Sequence, residues 1–133
     1  MILKKKNNYF NLGFLEKVYD SDIEKNQKDF PKISIVMPSL NQGDFIEQSI
    51  LSIINQLYPN IQLIIIDGGS TDGTIDIIKK YEKHIDYWVS EIDKGQSDAL
   101  NKGFEKADGD IFGWLNSDDV YLPGAFFLII DTF

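Results

Sequence analysis

The sequence predicts a three-layer α/β fold with a mostly parallel sheet. Short apolar segments rich in β-branched residues alternate with segments in which apolar residues recur at helical spacing. The most apolar segments lack polar alternation, which is typical of parallel strands that are covered on both faces. The connections between them are long enough for helical crossovers between parallel strands.

Four strands and four helices are expected in alternation. The strands are placed near residues 33–37, 62–66, 86–89 and 111–115. The helices are placed over the apolar faces of residues 46–57, 74–82, 99–104 and 125–130. We expect Pro38 to end the first strand and Asp44 with Glu47 to form a capping box. Pro123 should lie in the first turn of the last helix.

Residues 1–31 are predicted to form an N-terminal extension to one domain that spans residues 32–133. The extension is polar, rich in Lys and Asn, and weakly patterned, as loosely tied termini often are. Its apolar residues allow one short amphipathic helix, carried by Leu12, Phe14, Leu15 and Val18.

The charge and composition exclude several classes of function. The formal net charge of −8 is opposite to that of a nucleic-acid binder, and an anionic nucleotide would need a divalent cation at an acidic site. The absence of cysteine and the single histidine, His84, exclude disulfides, thiolate chemistry and multi-histidine metal sites. The apolar runs are far shorter than the roughly 18 residues of a membrane span. We therefore expect a cytoplasmic protein, whose N-terminal lysines allow weak contact with the inner membrane surface.

Polar residues follow each of the four predicted strands. Ligands of open parallel sheets bind beyond the carboxyl ends of the strands, so these side chains should gather at one edge. They are Ser39, Asn41, Asp67, Glu91, Asp93, Lys94, Asp118 and Asp119. Trp88 and Trp114 lie inside predicted strands and are expected in the core.

The adjacent carboxylates Asp118 and Asp119 suggest a divalent metal site. Carboxylate oxygens are ligands that Mg²⁺ and Mn²⁺ prefer, and a cation relieves the repulsion between the two charges. The alternative is an exposed turn or a helix N-cap, where Asp is common. The run Gly68–Thr74 also allows two interpretations. It can cradle a phosphate with backbone N–H groups, or it can be a tight turn capped by Asp72.

Four motifs resemble those of family 2 glycosyltransferases, in order and in spacing, over about residues 32–125. Ile33–Asn41 resembles the family's opening strand and its Pro-Thr-Tyr-Asn loop. Tyr58–Thr74 resembles the second strand and its Asp-Asp-Gly-Ser-Thr-Asp segment. Lys94–Gly103 resembles the stretch that ends in Ala-Arg-Asn-x-Gly, and Gly109–Asp119 resembles the strand that leads to the metal-binding aspartates.

This resemblance implies a GT-A (Rossmann-like) fold, a nucleotide-diphosphate-sugar donor, a Mn²⁺ or Mg²⁺ cofactor and transfer with inversion. We expect a UDP-linked donor, a glycan or lipid-linked acceptor, and a role in cell-surface polysaccharide synthesis. By their places in the motifs, Ser39 and Asn41 would hold the base and ribose, and Asp67 would read the base. Asp118 would lie near the ribose and the metal, and Asp119 would ligate the metal.

The sequence departs from the family's motifs at two positions. Gly68 stands where the family has a second Asp, and Leu100 stands where it has Arg before Asn101. Lys94 and Asp98 are then the candidates for the phosphate contact.

The resemblance also implies that a complete domain would extend well beyond residue 133 and would carry its acceptor site and general base there. We therefore expect a chain that is incomplete at its C-terminus, inactive alone, and prone to self-association through its last apolar run. Two alternatives are a nucleotide-binding module without turnover and an aspartyl-phosphate hydrolase built on Asp67. The hydrolase needs a second Asp where Gly69 stands.

Overall fold

The computed structural model describes residues 30–132 and shows four parallel strands that alternate with helices. The strands are β1 (Ile33–Ser39), β2 (Ile61–Asp67), β3 (Tyr87–Ser90) and β4 (Ile111–Trp114). The helices are α1 (Ile46–Ile54), α2 (Thr74–Lys80), α3 (Gln96–Lys106) and α4 (Ala125–Ile130), with a short 3-10 helix at Glu82–His84. The sheet order is β3-β2-β1-β4 and every pairing is parallel. The predicted parallel sheet is confirmed.

Helices cover both faces of the sheet and form the three predicted layers. On one face, helices α1, α2 and α4 contribute the core residues Ile46, Ile50, Ile53, Ile78, Phe126 and Phe127. On the other face, α3 packs Ala99, Leu100 and Phe104 against Val36, Ile64 and Ile66. Because successive strand residues point to opposite faces, one uninterrupted apolar strand supplies both layers.

Pro38 does not end β1, contrary to expectation. The strand continues to Ser39, and Pro38 lies opposite Ile66 of β2. The main-chain carbonyl of Val36 points toward β4 and accepts a hydrogen bond from Leu115 N–H. Main-chain groups two residues apart point to the same side of a strand, so the Pro38 nitrogen also points toward β4. The pairing with β4 ends at Val36, so the N–H that proline lacks has no ladder partner to meet there.

The capping box expected from Asp44 and Glu47 is absent, because the N-terminus of α1 has no side-chain cap. The Glu47 carboxylate instead accepts hydrogen bonds from Lys80 Nζ (2.6 Å) and from the Tyr81 hydroxyl (2.5 Å). Leu57 lies beyond the end of α1 and is exposed, so the apolar face of this helix is shorter than expected.

The C-terminal part differs from expectation at two residues. Pro123 precedes α4 instead of lying in its first turn, and the helix starts after Gly124 with a left-handed φ of 78°. Trp114 is 48% exposed, whereas it was expected in the core. It lies on β4, an edge strand of the described sheet, where alternate residues are exposed. Trp88, expected in the core, is partly buried against it.

Phe30 and Pro31 are packed against the domain. The Phe30 ring meets Tyr58 and Phe127 edge-on, and the Tyr58 hydroxyl donates to the Pro31 carbonyl at 2.6 Å. The amphipathic helix expected around Leu12–Val18 lies outside the described residues. Within residues 30–132 there is no helix long and apolar enough to cross a membrane.

The close packing of α3 on β1 predicts that Gly103 tolerates no side chain. A Cβ at Gly103 would lie 2.2 Å from Val36 Cγ1. Gly103→Ala should therefore lower the free energy of unfolding by about 1–3 kcal/mol. Gly73→Ala is the matched control, because a Cβ there meets nothing within 4 Å. Urea unfolding followed by circular dichroism measures both, and equal stability of the two variants would contradict this packing.

Candidate nucleotide-binding site

A cleft of about 380 Å³ opens at the carboxyl ends of β1 and β4, beside the N-terminus of α3. Its volume lies within the range of small-molecule sites. Its polar lining includes Ser39, Gln42, Asp93, Gln96, Asn116 and Asp118. The predicted edge of the sheet therefore does carry a polar cleft.

Ser39 lies at the inner wall of this cleft. It is the last residue of β1 and is only 6% exposed. Its Oγ is the one buried side-chain polar atom within residues 30–132 that lacks a hydrogen-bond partner. An unpaired buried hydroxyl costs about 1–3 kcal/mol. A ligand that enters the cleft and bonds this hydroxyl would remove that cost.

Asp118 and Asp119 lie on the exposed turn that follows β4. Asp118 lines the cleft and Asp119 does not. Asp119 N–H donates to the Asn116 carbonyl (3.0 Å), and Asn116 Nδ2 lies 3.4 Å from Asp119 Oδ2. In the described part of the chain, no group of three or more His, Cys, Asp or Glu is arranged to hold a metal. Two carboxylates fit a hard cation only if phosphate and water complete its shell.

Asp67 is fully buried and its carboxylate accepts four hydrogen bonds. Oδ2 accepts from the N–H groups of Gly69 (3.0 Å) and Ser70 (2.8 Å) and from the Ser90 hydroxyl (2.7 Å). Oδ1 accepts from the Ser70 hydroxyl (2.5 Å). Asp67 thus holds the turn after β2 and ties it to β3. It does not line the cleft, and this burial argues against a nucleophilic Asp67 in a hydrolase.

A set of four hydrogen bonds, here called the loop clasp, joins residues 41–43 to residues 70–74. Asn41 contributes two of them. Its N–H donates to Ser70 Oγ (2.8 Å), and its Oδ1 accepts from Thr71 N–H (2.9 Å). Its φ of 50° is left-handed, a conformation in which Asn is enriched. Asn41 is therefore used in shaping the loop and does not line the cleft.

Asp72 belongs to the loop clasp and also holds the start of α2. Its Oδ2 accepts from Gly43 N–H (3.0 Å), and its Oδ1 accepts from the N–H (2.9 Å) and the hydroxyl of Thr74. The bonds from Thr74, and then that from Gly43, lower the pKa of Asp72 from its ordinary 3.8. The stabilisation that ionised Asp72 adds is therefore present above pH 3.8 and is lost as the pH falls through the lowered pKa, whereas the clasp bonds of Asn41 and Gln42 involve no titrating group. This geometry favours the tight-turn interpretation of the glycine-rich run.

The loop between β3 and α3 is shaped by two aspartates. Asp93 Oδ1 accepts from Gly95 N–H at 2.9 Å. Asp98 Oδ2 accepts from Lys94 N–H at 3.0 Å, which lowers the pKa of Asp98, and it also pairs with Lys102 at 3.4 Å. Lys94 is exposed, and its ammonium group forms no ion pair with the described residues. Neither Lys94 nor Asp98 lines the cleft.

Three amide side chains of the cleft were not singled out from the sequence: Gln42, Gln96 and Asn116. Gln96 Nε2 donates to Asn116 Oδ1 at 2.6 Å, which links the first turn of α3 to the turn after β4. The sequence showed only that these residues lie in or next to predicted loops. Uncharged amides are common in loops, so this position did not separate them from other polar residues.

Sequence comparisons identify relatives of this chain. A family model described as glycosyl transferase family 2 matches residues 34–133. An uncharacterized glycosyltransferase of Haemophilus influenzae is 44% identical over 94 residues, which cover 68% of this chain and 38% of the relative. The putative teichuronic acid biosynthesis glycosyltransferase TuaG of Bacillus subtilis is 40% identical over 94 residues, which cover 67% and 36%. The chain therefore spans less than two-fifths of the length of these relatives.

Solved structures share the fold. S. aureus TarS 1-349 in complex with UDP-GlcNAc aligns with a TM-score of 0.66 at 23% identity, covering 76% of this chain and 30% of that one. The mannosyltransferase PcManGT from Pyrobaculum calidifontis, in complex with GDP-Man and Mn²⁺, aligns with a TM-score of 0.66 at 21% identity, covering 85% and 36%. These neighbours are GT-A glycosyltransferases, and the predicted GT-A fold is confirmed.

The hydrogen bonds of Asp67 predict that its charge stabilises the fold. Asp67→Asn replaces one acceptor oxygen by an amide donor that faces other donors, and should lower the free energy of unfolding by about 1–3 kcal/mol. Asp44→Asn changes an exposed acid on a neighbouring loop and should alter it by less than about 0.5 kcal/mol. Urea unfolding measures both. A stability of Asp67→Asn equal to that of the parent chain would show that the bonds to Asp67 contribute nothing.

Proposed function

Because the chain belongs to glycosyl transferase family 2, we propose that its cleft binds the nucleoside diphosphate of a nucleotide-sugar donor. The whole protein would transfer the sugar, with inversion, from a UDP-linked donor to a glycan or lipid-linked acceptor. We place this reaction in cell-surface polysaccharide synthesis, at the cytoplasmic face of the membrane. Two findings support the proposal. One relative is named as a putative teichuronic acid biosynthesis glycosyltransferase, and the structural neighbours were solved in complex with UDP-GlcNAc or GDP-Man.

The observation that carries this proposal is the unpaired hydroxyl of Ser39. It is buried at the end of the central strand and lines a cleft of nucleotide-binding size. The base and ribose of a nucleotide offer both hydrogen-bond donors and acceptors, so either can satisfy a hydroxyl. Ser39 would thus hold the nucleoside.

The diphosphate would lie toward the turn that carries Asp118 and Asp119. These two carboxylates would hold Mn²⁺ or Mg²⁺ together with phosphate oxygens and water. A cation held there supplies Lewis-acid stabilisation of the leaving diphosphate. Without it, the two acids would repel the nucleotide, as would the net charge of −8. Nucleotide and metal should therefore bind together.

The other residues predicted to contact the nucleotide would act mainly through bonds within the protein. Asn41, Asp67 and Asp98 each use their side-chain oxygens to fix a loop beside the cleft. Their direct contacts with nucleotide remain predictions. Lys94 follows Asp93 of the cleft wall and has an ammonium group without an ion pair in residues 30–132. It is the candidate cation for a phosphate.

We also propose that this chain binds the donor without rapid transfer. Inversion needs a base within about 3 Å of the acceptor hydroxyl. The carboxylates that line the cleft are Asp93 and Asp118. Asp93 already bonds Gly95, and Asp118 is assigned to the metal. The general base would then come from a part of the whole protein outside this span. The relative from Haemophilus influenzae has room for it, because this chain covers only 38% of its length.

Removal of the Asp119 carboxylate should abolish metal-dependent nucleotide binding. In the parent chain, Mn²⁺ should raise the affinity for UDP, because the cation joins phosphate to the acidic turn. In Asp119→Ala, calorimetry with UDP should give the same affinity in Mn²⁺ and in EDTA. Asp108→Ala is the control, since Asp108 is an exposed acid before β4, at the opposite end of that strand. An unchanged metal dependence in Asp119→Ala would refute the metal assignment. The same titration with GDP in place of UDP tests which nucleobase the cleft prefers.

Two serine variants on β1 should change stability and binding in opposite ways. Ser39→Ala removes an unpaired hydroxyl, so the free energy of unfolding should stay equal or rise, while UDP affinity should fall about three- to tenfold. Ser34→Ala removes a hydroxyl that is also buried but is bonded to Gln62 (2.6 Å) and Gly109 (2.9 Å) at the other end of the strand. It should lower stability and leave UDP affinity intact.

Thermal unfolding and calorimetry measure both quantities. Parent-like UDP binding by Ser39→Ala would remove the observation on which the proposed function depends.

A further inference from the structure

Helix α1 and the turn that follows it carry three inward polar residues, which we call the polar stripe: Ser49, Ser52 and Gln56. They are three and four residues apart, so they lie along one line of the helix and its C-terminal end. Ser49 and Gln56 are 0% and 2% exposed, and Ser52 is half-buried. An amphipathic helix ordinarily places apolar residues at such positions. Their burial therefore requires a specific set of partners.

Those partners are main-chain groups of residues 119–126, the segment that begins with the second aspartate of the acidic turn. The bonds run from Ser49 Oγ to the Asp119 carbonyl (2.5 Å), from Tyr121 N–H to Ser52 Oγ (3.1 Å), from Gln56 Nε2 to the Leu122 carbonyl (2.9 Å) and from Phe126 N–H to Gln56 Oε1 (3.3 Å). Because every partner is a main-chain atom, the stripe sets the path of this segment whatever its side chains are.

The first of these bonds fixes Asp119 itself. Its carbonyl accepts from Ser49, and its N–H donates to the Asn116 carbonyl at 3.0 Å. Both main-chain polar groups of Asp119 are thus held, while its carboxylate is exposed. The Asp119 side chain is held less firmly, through a contact of 3.4 Å between Asn116 Nδ2 and its Oδ2. A ligand group that is already placed loses less conformational freedom when a cation binds.

We propose that Ser49, Ser52 and Gln56 are positioning residues that pre-organise Asp119 for metal-assisted nucleotide binding. The inference rests on the proposed function, because it acts through the metal assigned to Asp119. It adds a connection between a buried face of α1 and the acidic turn, about 70 residues later in the chain. In this proposal the stripe contacts neither the nucleotide nor the metal. It affects only the gain in nucleotide affinity that the metal produces.

The quantity that tests this inference is the Mn²⁺ enhancement, defined as the UDP affinity in Mn²⁺ divided by that in EDTA. Ser49→Ala should reduce the Mn²⁺ enhancement about three- to tenfold, the effect of one lost hydrogen bond, and leave the affinity in EDTA unchanged. Ser52→Ala, at a half-buried position, should act in the same direction. It provides the test if Ser49→Ala does not fold, which thermal unfolding reveals.

Two comparisons separate positioning from general destabilisation. Ser34→Ala also removes a fully buried, bonded serine, at the other end of the sheet, and should keep the parent's Mn²⁺ enhancement. In an Asp119→Ala background, Ser49→Ala should have no further effect on the enhancement, because the two residues act on one step.

The outcomes distinguish the two proposals. If Ser49→Ala and Ser52→Ala keep the parent's enhancement, or lower it no more than Ser34→Ala does, the positioning inference is overturned and the proposed function stands. If the parent chain shows no Mn²⁺ enhancement with either UDP or GDP, the proposed function fails and the inference fails with it.

Discussion

The central strand β1 pairs with β2 on one side and with β4 on the other, and the cleft depends on these two ladders. All seven residues of β1 are buried, so apolar contacts on both faces hold its register. That register places Ser39 opposite Asp67 and Val36 opposite Trp114. A slip of one residue would exchange the two faces of the strand. It would also remove Ser39 from the cleft.

At and after the strand ends, buried and exposed acids have different roles. Asp67 is buried, and its carboxylate accepts hydrogen bonds from Gly69, Ser70 and Ser90. A buried carboxylate requires such partners to offset the loss of water. Asp118 and Asp119 are exposed, and the main chain around Asp119 is held by other groups. The buried acid fixes loop geometry, whereas the exposed pair keeps oxygens available to a cation.

The strands, the helices and the parallel sheet were predictable because apolar burial leaves a periodic pattern in the sequence. The exposure of Trp114 was not predictable, because it depends on which strand lies at the edge of the sheet. The local hydrophobic pattern contains no information about the order of the strands. Pro38 was misjudged for the same reason. Its place inside β1 depends on where the ladder with β4 ends, some 75 residues away in sequence.

The candidate site was predictable in position but not in detail. Strand-end polarity and the family motifs identified the edge that holds Ser39 and Asp118. They did not show that Asn41 bonds Thr71, or that Ser49 bonds Asp119, because such bonds join loops and helices that lie far apart in the chain. Side-chain direction in loops is decided by these tertiary contacts.

Paramagnetic broadening of amide signals by Mn²⁺ tests the central claim most directly, because it locates the metal without a mutation. In spectra of the ¹⁵N-labelled chain with UDP present, we predict that substoichiometric Mn²⁺ broadens residues 116–120 first and residues 39–40 and 95–96 next. Without UDP the same amount of Mn²⁺ should broaden them far less. Broadening centred on the acids before β4, Asp108 and Asp110, or broadening that is the same with and without UDP, would contradict a metal-assisted nucleotide site in this cleft.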